Sequence, residues 1–176
     1  MNPKIWQPLQ LLLVAGMFMA IIPNPPTASA STLWLSPVTG HLEAEFRQPS
    51  SDWSAGHRGV DYATAVDQDV VATHSGKVVF SGMVVDRGLV TIEHENGLKS
   101  SVEPICPTVK VGDLVATGQT IGSACEFPQY TSHCGRTFCV HFAIRNQFGY
   151  LSPLLLIGGL SPSRLKPLDG RSDSPA

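Results

Sequence analysis

Short runs of apolar and β-branched residues, broken by Gly, Asn, Asp and Ser, occupy most of residues 59–144. Such runs predict short β-strands joined by turns. The predicted strands cover residues 41–47, 70–72, 77–80, 83–85, 89–94, 98–102, 109–111 and 115–116. Helical periodicity is nearly absent after residue 30, where only residues 151–155 predict one helical turn. The pattern therefore predicts an all-β fold.

Five groups of turn residues lie inside this region, at 75–76, 81–82, 86–88, 96–97 and 112–113. Asn96 and Gly97 form the clearest hairpin signal, and they predict a two-residue turn because both tolerate the positive φ that such a turn needs. Ser81 and Gly82 predict a second turn, between the strands at 77–80 and 83–85.

The first thirty residues have a different character. Lys4 is followed by the apolar run 11–22, by the proline-rich segment 23–26 and by Ala28, Ser29 and Ala30. This order predicts a secretory signal peptide over residues 1–30. A retained membrane anchor is the alternative, but a bilayer span needs about 20 apolar residues. We expect a secreted protein of the cell wall or extracellular space, without a membrane segment once the signal is removed.

Composition narrows the class of protein. The 176 residues include 12 Lys and Arg against 14 Asp and Glu, a net charge of −2, which argues against a nucleic-acid-binding protein. With 43% apolar residues, 16 Gly and 14 Pro, the chain predicts a packed core cut by many turns. We expect an N-terminal extension at 31–52, a single small folded domain at 53–157, and a disordered Ser- and Pro-rich tail at 158–176.

Four cysteines lie after the predicted signal peptide: Cys106, Cys125, Cys134 and Cys139. An even number of cysteines in an exported protein favours disulfides. Three pairings are possible, and pairing of neighbours joins Cys106 to Cys125 and Cys134 to Cys139. A cysteine-rich zinc site is the less favoured alternative, because the spacing is not that of a zinc knuckle.

Three residues suggest a metal site. His57 and Asp61 lie four apart around Gly59, in a segment that predicts a loop entering a strand, and His141 lies on a predicted strand. Two nitrogens and one carboxylate oxygen suit zinc, and the fourth tetrahedral position stays open for water in hydrolytic sites. For a lone strand histidine, the alternative is an ordinary hydrogen-bonded side chain.

The surroundings of these residues resemble the lysostaphin and LytM type of zinc metallopeptidase over about residues 53–157. The segments that carry the resemblance are 56–63, 70–72, 75–79, 90–97, 109–113, 118–122 and 140–142. The resemblance implies a small antiparallel β-sheet or sandwich domain of the LytM type, with a duplicated hybrid motif and zinc in a groove. It also implies cleavage of cross-links or stems of bacterial peptidoglycan, with His57, Asp61 and His141 as metal ligands.

Two positions depart from that family. Cys139 stands where the family usually has a His two residues before the last ligand, and Pro104 aligns with a second usual His. Both histidines are thought to steer protons or stabilise an oxyanion, and losing each such group costs about 10²-fold or more in rate. Glu103 is the candidate catalytic substitute, as general base, and an ordinary surface glutamate is the alternative. The Cys139 thiolate and the loop residue His133 are further candidates.

Two functions follow from this pattern. One is an exported zinc metalloendopeptidase that acts on peptidoglycan peptides. The other is a catalytically inactive relative that binds peptidoglycan or regulates another cell-wall hydrolase.

Overall fold

The computed structural model describes residues 34–51, 53–135 and 137–158. The predicted signal peptide, and the predicted tail beyond residue 158, lie outside these residues. The described elements are β1 (His41–Ala44), β2 (Val60–Ala63), β3 (Asp69–Val71), β4 (Gly76–Val84), β5 (Arg87–Glu93), β6 (Lys99–Glu103), β7 (Ile105–Pro107), β8 (Leu114–Val115), β9 (Thr120–Ala124), β10 (Cys139–Asn146), β11 (Gly149–Leu151) and α1 (Leu154–Ile157). Within these ranges no helix is both long and apolar enough to cross a bilayer.

The strands within the described residues form two sheets. The larger has eight strands in the order β1-β2-β10-β6-β5-β4-β8, with β11 paired to β10, and the smaller has the order β3-β9-β7. Every pairing among the described strands is antiparallel. The structure therefore confirms the predicted all-β, antiparallel fold.

Strand β10 shows how the core and the site are separated. Val140, Phe142 and Ile144 are fully buried and belong to the apolar core. Because successive strand residues point to opposite faces, His141 lies on the other side of the sheet. The core-facing residues of β10 thus anchor the strand in the sheet, and its opposite face is available for a functional site.

Two predicted turns differ from the structure. Gly97 has φ +77°, but its N–H bonds to the His94 oxygen at 2.9 Å, and Asn96 has no positive φ. The hairpin prediction is correct and the predicted two-residue turn is wrong, because the loop is longer and only Gly97 is left-handed. The predicted turn at Ser81 and Gly82 is also wrong. Strand β4 continues through both residues, since both pair with β5.

Further strand predictions need correction. Residues 109–111 are not a strand in the structure, whereas β7, β9 and β11 are strands that were not predicted.

Both predicted disulfides are present, Cys106 with Cys125 and Cys134 with Cys139. The first ties β7 to the end of β9, and the second closes the loop that leads into β10.

Candidate functional site

Three neighbouring strands place three polar residues in one row. Asp61 on β2 is directly opposite His141 on β10, and His141 is directly opposite Glu103 on β6. Directly opposite residues of antiparallel strands share a face of the sheet. The register of the sheet therefore brings the predicted ligands Asp61 and His141 together, with the predicted catalytic residue Glu103 beside them.

His57 reaches the same place from the loop before β2. Its backbone makes two 2.9 Å hydrogen bonds with Arg47, which hold the loop against the segment after β1. Gly59 lets the loop pass close to β10, since a Cβ there would lie 2.6 Å from His141 Nε2. The glycine that separates His57 from Asp61 is thus a requirement of close packing.

The donor atoms of these three residues converge. His57 Nε2 lies 3.1 Å from Asp61 Oδ2 and 3.2 Å from His141 Nδ1, and His141 Nδ1 lies 2.7 Å from Asp61 Oδ1. Donors around a tetrahedral zinc ion, at 2.0–2.1 Å from the metal, lie about 3.3 Å from one another. The spacing fits a single ion of that size.

The hydrogen bonds around the cluster also suit a cation. His57 Nδ1 lies 2.7 Å from the Glu45 backbone oxygen. A carbonyl only accepts, so Nδ1 carries the proton, and in the neutral ring Nε2 directs a lone pair into the cluster. His141 Nδ1 then faces two acceptors, His57 Nε2 and Asp61 Oδ1, with at most one proton to donate. One proton cannot satisfy both His57 Nε2 and Asp61 Oδ1. A metal ion would bind the lone pairs of both atoms.

Asp61 supplies the negative charge. Its side chain is 1% exposed. Burial by itself raises the pKa of the Asp61 carboxyl, but the hydrogen bonds and charges of His141 and His133 together outweigh burial and lower this pKa. The carboxyl is therefore ionised at neutral pH, the form in which it binds a metal.

A fourth side chain joins the cluster from the loop between β9 and β10. His133 Nε2 lies 2.8 Å from Asp61 Oδ2. Ligand atoms of His57, Asp61, His133 and His141 all lie within 4.8 Å of one another. From the sequence, His133 was only a minor candidate, because its position depends on a loop whose shape the sequence pattern does not specify.

Glu103 lies on the same face of the sheet as His141 but is held by an arginine. Arg87 donates to Glu103 Oε1 at 3.0 Å and to Asp86 Oδ1 at 2.9 Å, and its guanidinium lies 5.3 Å from the centre of the Tyr130 ring. Burial and the carboxylates of Glu103, Asp61 and Asp86 raise the pKa of Tyr130, although Arg87 opposes them. The phenol therefore stays protonated, as a hydrogen-bond donor beside the cluster.

Arg87 and Tyr130 were not identified from the sequence. Arg87 begins β5 after a turn, and Tyr130 belongs to the loop before β10, so no local pattern marks either residue. Only the pairing of β5 with β6 and the path of that loop bring them to the pocket that His133 and His141 also line.

A groove of about 610 Å³ runs past His141 along the same face of the sheet. Its lining includes three arginines, Arg58, Arg87 and Arg145. Arginine binds carboxylates in a planar, bidentate geometry. The groove therefore suits a ligand that carries carboxylate groups.

The two family-typical histidine positions offer no proton carrier. Cys139 is buried and bonded to Cys134, so its sulfur is neither a thiolate nor a ligand. Pro104 has no ionisable group. Of the substitutes expected from the sequence, the structure excludes the Cys139 thiolate and leaves Glu103 and His133, each next to one of the predicted ligands.

Residues 55–153 match peptidase family M23. An uncharacterized protein of Mycobacterium tuberculosis is 36% identical over 135 residues, which cover 73% of this chain and 52% of that protein. The chain thus spans about half the length of the curated relatives it matches.

Solved structures share the fold. A chain of the SpoIIQ-SpoIIIAH pore forming complex superposes with a TM-score of 0.60 at 25% sequence identity, covering 71% of this chain and 90% of that chain. The catalytic domain of the antimicrobial peptidase lysostaphin from Staphylococcus simulans superposes with a TM-score of 0.56 at 21% sequence identity. The match covers 68% of this chain and 92% of the lysostaphin chain. At that identity, the likeness to lysostaphin shows the fold alone.

Proposed function

Because the chain belongs to peptidase family M23, we propose that it is an exported zinc-binding domain that binds peptidoglycan peptides without cleaving them. His57, Asp61 and His141 would hold the zinc, as their donor spacing and hydrogen bonds support. Zinc bound there would cross-link the loop before β2 to β10. The residues around it would orient the peptide in the groove.

The main support for the proposed absence of cleavage is the disulfide between Cys134 and Cys139. It occupies the position two residues before His141, where the family usually has a proton-handling histidine. Pro104 replaces the other histidine, and Arg87 already bonds to an oxygen of Glu103. Removing two proton-handling groups at about 10²-fold each leaves little rate enhancement.

The choice of ligand rests on charge. Peptidoglycan stem peptides carry free carboxylates, and Arg145, an exposed arginine of the groove, would pair with them. Export is supported by the pattern of residues 1–30 and by the two disulfides, which persist in oxidising compartments.

The test uses purified, zinc-loaded protein and insoluble peptidoglycan. We expect the protein to sediment with the peptidoglycan and to release no new amino termini. Arg145→Ala should weaken sedimentation about 10-fold or more, since a hydrogen bond to a charged group contributes about 1.5–3 kcal/mol. Lys77→Ala removes one positive charge outside the groove and serves as the matched control. Absence of sedimentation would refute binding.

The second candidate function is the metalloendopeptidase. Tyr130 favours it, because a protonated phenol beside the cluster could stabilise an oxyanion. Release of amino termini that a chelator abolishes would establish cleavage and refute our proposal. In that case Glu103→Gln should abolish release without loss of zinc if Glu103 acts as the general base.

A further inference from the structure

We propose that His133 is a fourth protein ligand, so that the chain encloses its metal ion entirely with protein donors. The inference rests on the zinc binding proposed above and goes beyond the three ligands that the family resemblance implies. It would make the centre a closed site, of the kind that zinc forms where it has a structural role.

The position of the His133 ring is the first support. Its Nε2 lies 2.8 Å from Asp61 Oδ2, as close as the other donors lie to this carboxylate. The four donor atoms lie within 4.8 Å of one another, so a modest contraction around an ion would bring all four into contact with it. Three imidazole nitrogens and one carboxylate oxygen are all ligands that zinc accepts.

Exposure is the second support. The side chains of His57, Asp61 and His141 are 18%, 1% and 16% exposed, whereas that of His133 is 52% exposed. His133 therefore approaches the cluster from its solvent side. This is the direction from which water or a peptide would otherwise reach the ion.

The loop that carries His133 is fastened at this place, which is the third support. The neighbouring Cys134 is bonded to Cys139 at the start of β10, only two residues from His141. Ser132 Oγ accepts from the Cys134 N–H at 3.2 Å and lies 3.4 Å from Cys139 Sγ. The disulfide therefore has a second consequence besides consuming Cys139, because it holds His133 over the cluster.

The test measures coordination directly, with Co²⁺ and Zn²⁺ added to metal-free protein. Wild-type protein should bind one equivalent of Co²⁺ and show the intense visible absorption of four-coordinate cobalt, unchanged by azide. His133→Ala should bind Zn²⁺ more than about 100-fold more weakly, because loss of a mere outer partner costs only about 10–100-fold. Azide should shift the spectrum of this variant, since it opens a coordination position.

Two further variants complete the design. His41→Ala removes a histidine outside the cluster, 76% exposed, and should match the wild type. Cys134→Ser combined with Cys139→Ser keeps His133 but frees its loop, and should give weaker, azide-sensitive binding. Circular dichroism of metal-free His133→Ala should match the wild type, since the ring lies at the surface.

The possible failures are distinguishable. A loss of 100-fold or less in His133→Ala, or an azide shift in the wild-type spectrum, would overturn the fourth ligand while leaving zinc binding intact. Wild-type protein that binds no metal would overturn both this inference and the proposed zinc site. Release of amino termini from peptidoglycan would instead overturn the proposed absence of cleavage.

Discussion

Replacing Gly59 by Ala should disrupt the metal site and destabilise the fold together. The new Cβ would lie 2.6 Å from His141 Nε2 and still closer to the backbone oxygen of Phe142. Non-bonded atoms prefer separations of about 3.5 Å or more, so the overlap is about 1 Å. The Phe142 oxygen belongs to a central strand and cannot rotate away. The segment that carries His57 must therefore move away from β10.

The magnitude follows from that displacement. Overpacking of this kind costs about 1–3 kcal/mol. For a domain of this size, that corresponds to a fall in Tm of about 3–12 °C. Metal–ligand distances hold to about ±0.2 Å, so a shift of about 1 Å would remove His57 as a ligand. We therefore expect Gly59→Ala to weaken zinc binding by at least about 10-fold as well as to lower Tm.

The assay combines thermal unfolding, followed by circular dichroism, with zinc competition against a chelator. Gly97→Ala is the matched control, because Gly97 has φ +77° and no atom lies within 4 Å of the added Cβ. It should cost about 1–2 kcal/mol of backbone strain and leave zinc affinity unchanged. Wild-type zinc affinity in Gly59→Ala would refute the reasoning.

Two further predictions concern stability away from the site. Burial lowers the pKa of His94, against the hydrogen bond to the Ser75 oxygen and with the help of His74. The unfolded chain then binds the proton more readily, so the free energy of unfolding should fall as pH drops below about 6.5. Urea titrations at several pH values from 8 to 5 give the free energy of unfolding as a function of pH. This free energy should fall less steeply with pH in His94→Gln than in the wild type, and an equal pH dependence would contradict this cause. Cys106→Ser with Cys125→Ser should lower the free energy of unfolding by about 3 kcal/mol in urea, from loop closure over a separation of 19 residues. Unchanged stability would contradict that estimate.

The register of the sheet explains why part of the site was predictable. His141 could be placed on a strand face from its alternation with Val140 and Phe142, and His57 and Asp61 from their spacing around Gly59. The structure brings these three together as expected, and their role as ligands stays a prediction. Local pattern placed each residue on a strand or immediately before one, and the resemblance to the lysostaphin and LytM type implied that the three converge.

The remaining features depend on contacts distant in sequence. Ser81 and Gly82 have the composition of a turn, but pairing with β5 keeps β4 extended through them. His133 reaches the cluster because a disulfide fixes its loop, and Arg87 reaches Glu103 because β5 pairs with β6. Turn propensity and strand alternation contain no information about such contacts.

The sequence distance across the cluster has a consequence for the lifetime of the protein. His57 and His141 are 84 residues apart, so an ion held between them would act as a removable cross-link over most of the domain. The unfolded chain lacks this arrangement, so the ion would bind only when β2 and β10 are paired. Loss of zinc would then lower the free energy of unfolding and increase the fraction of unfolded chain that proteases can cut.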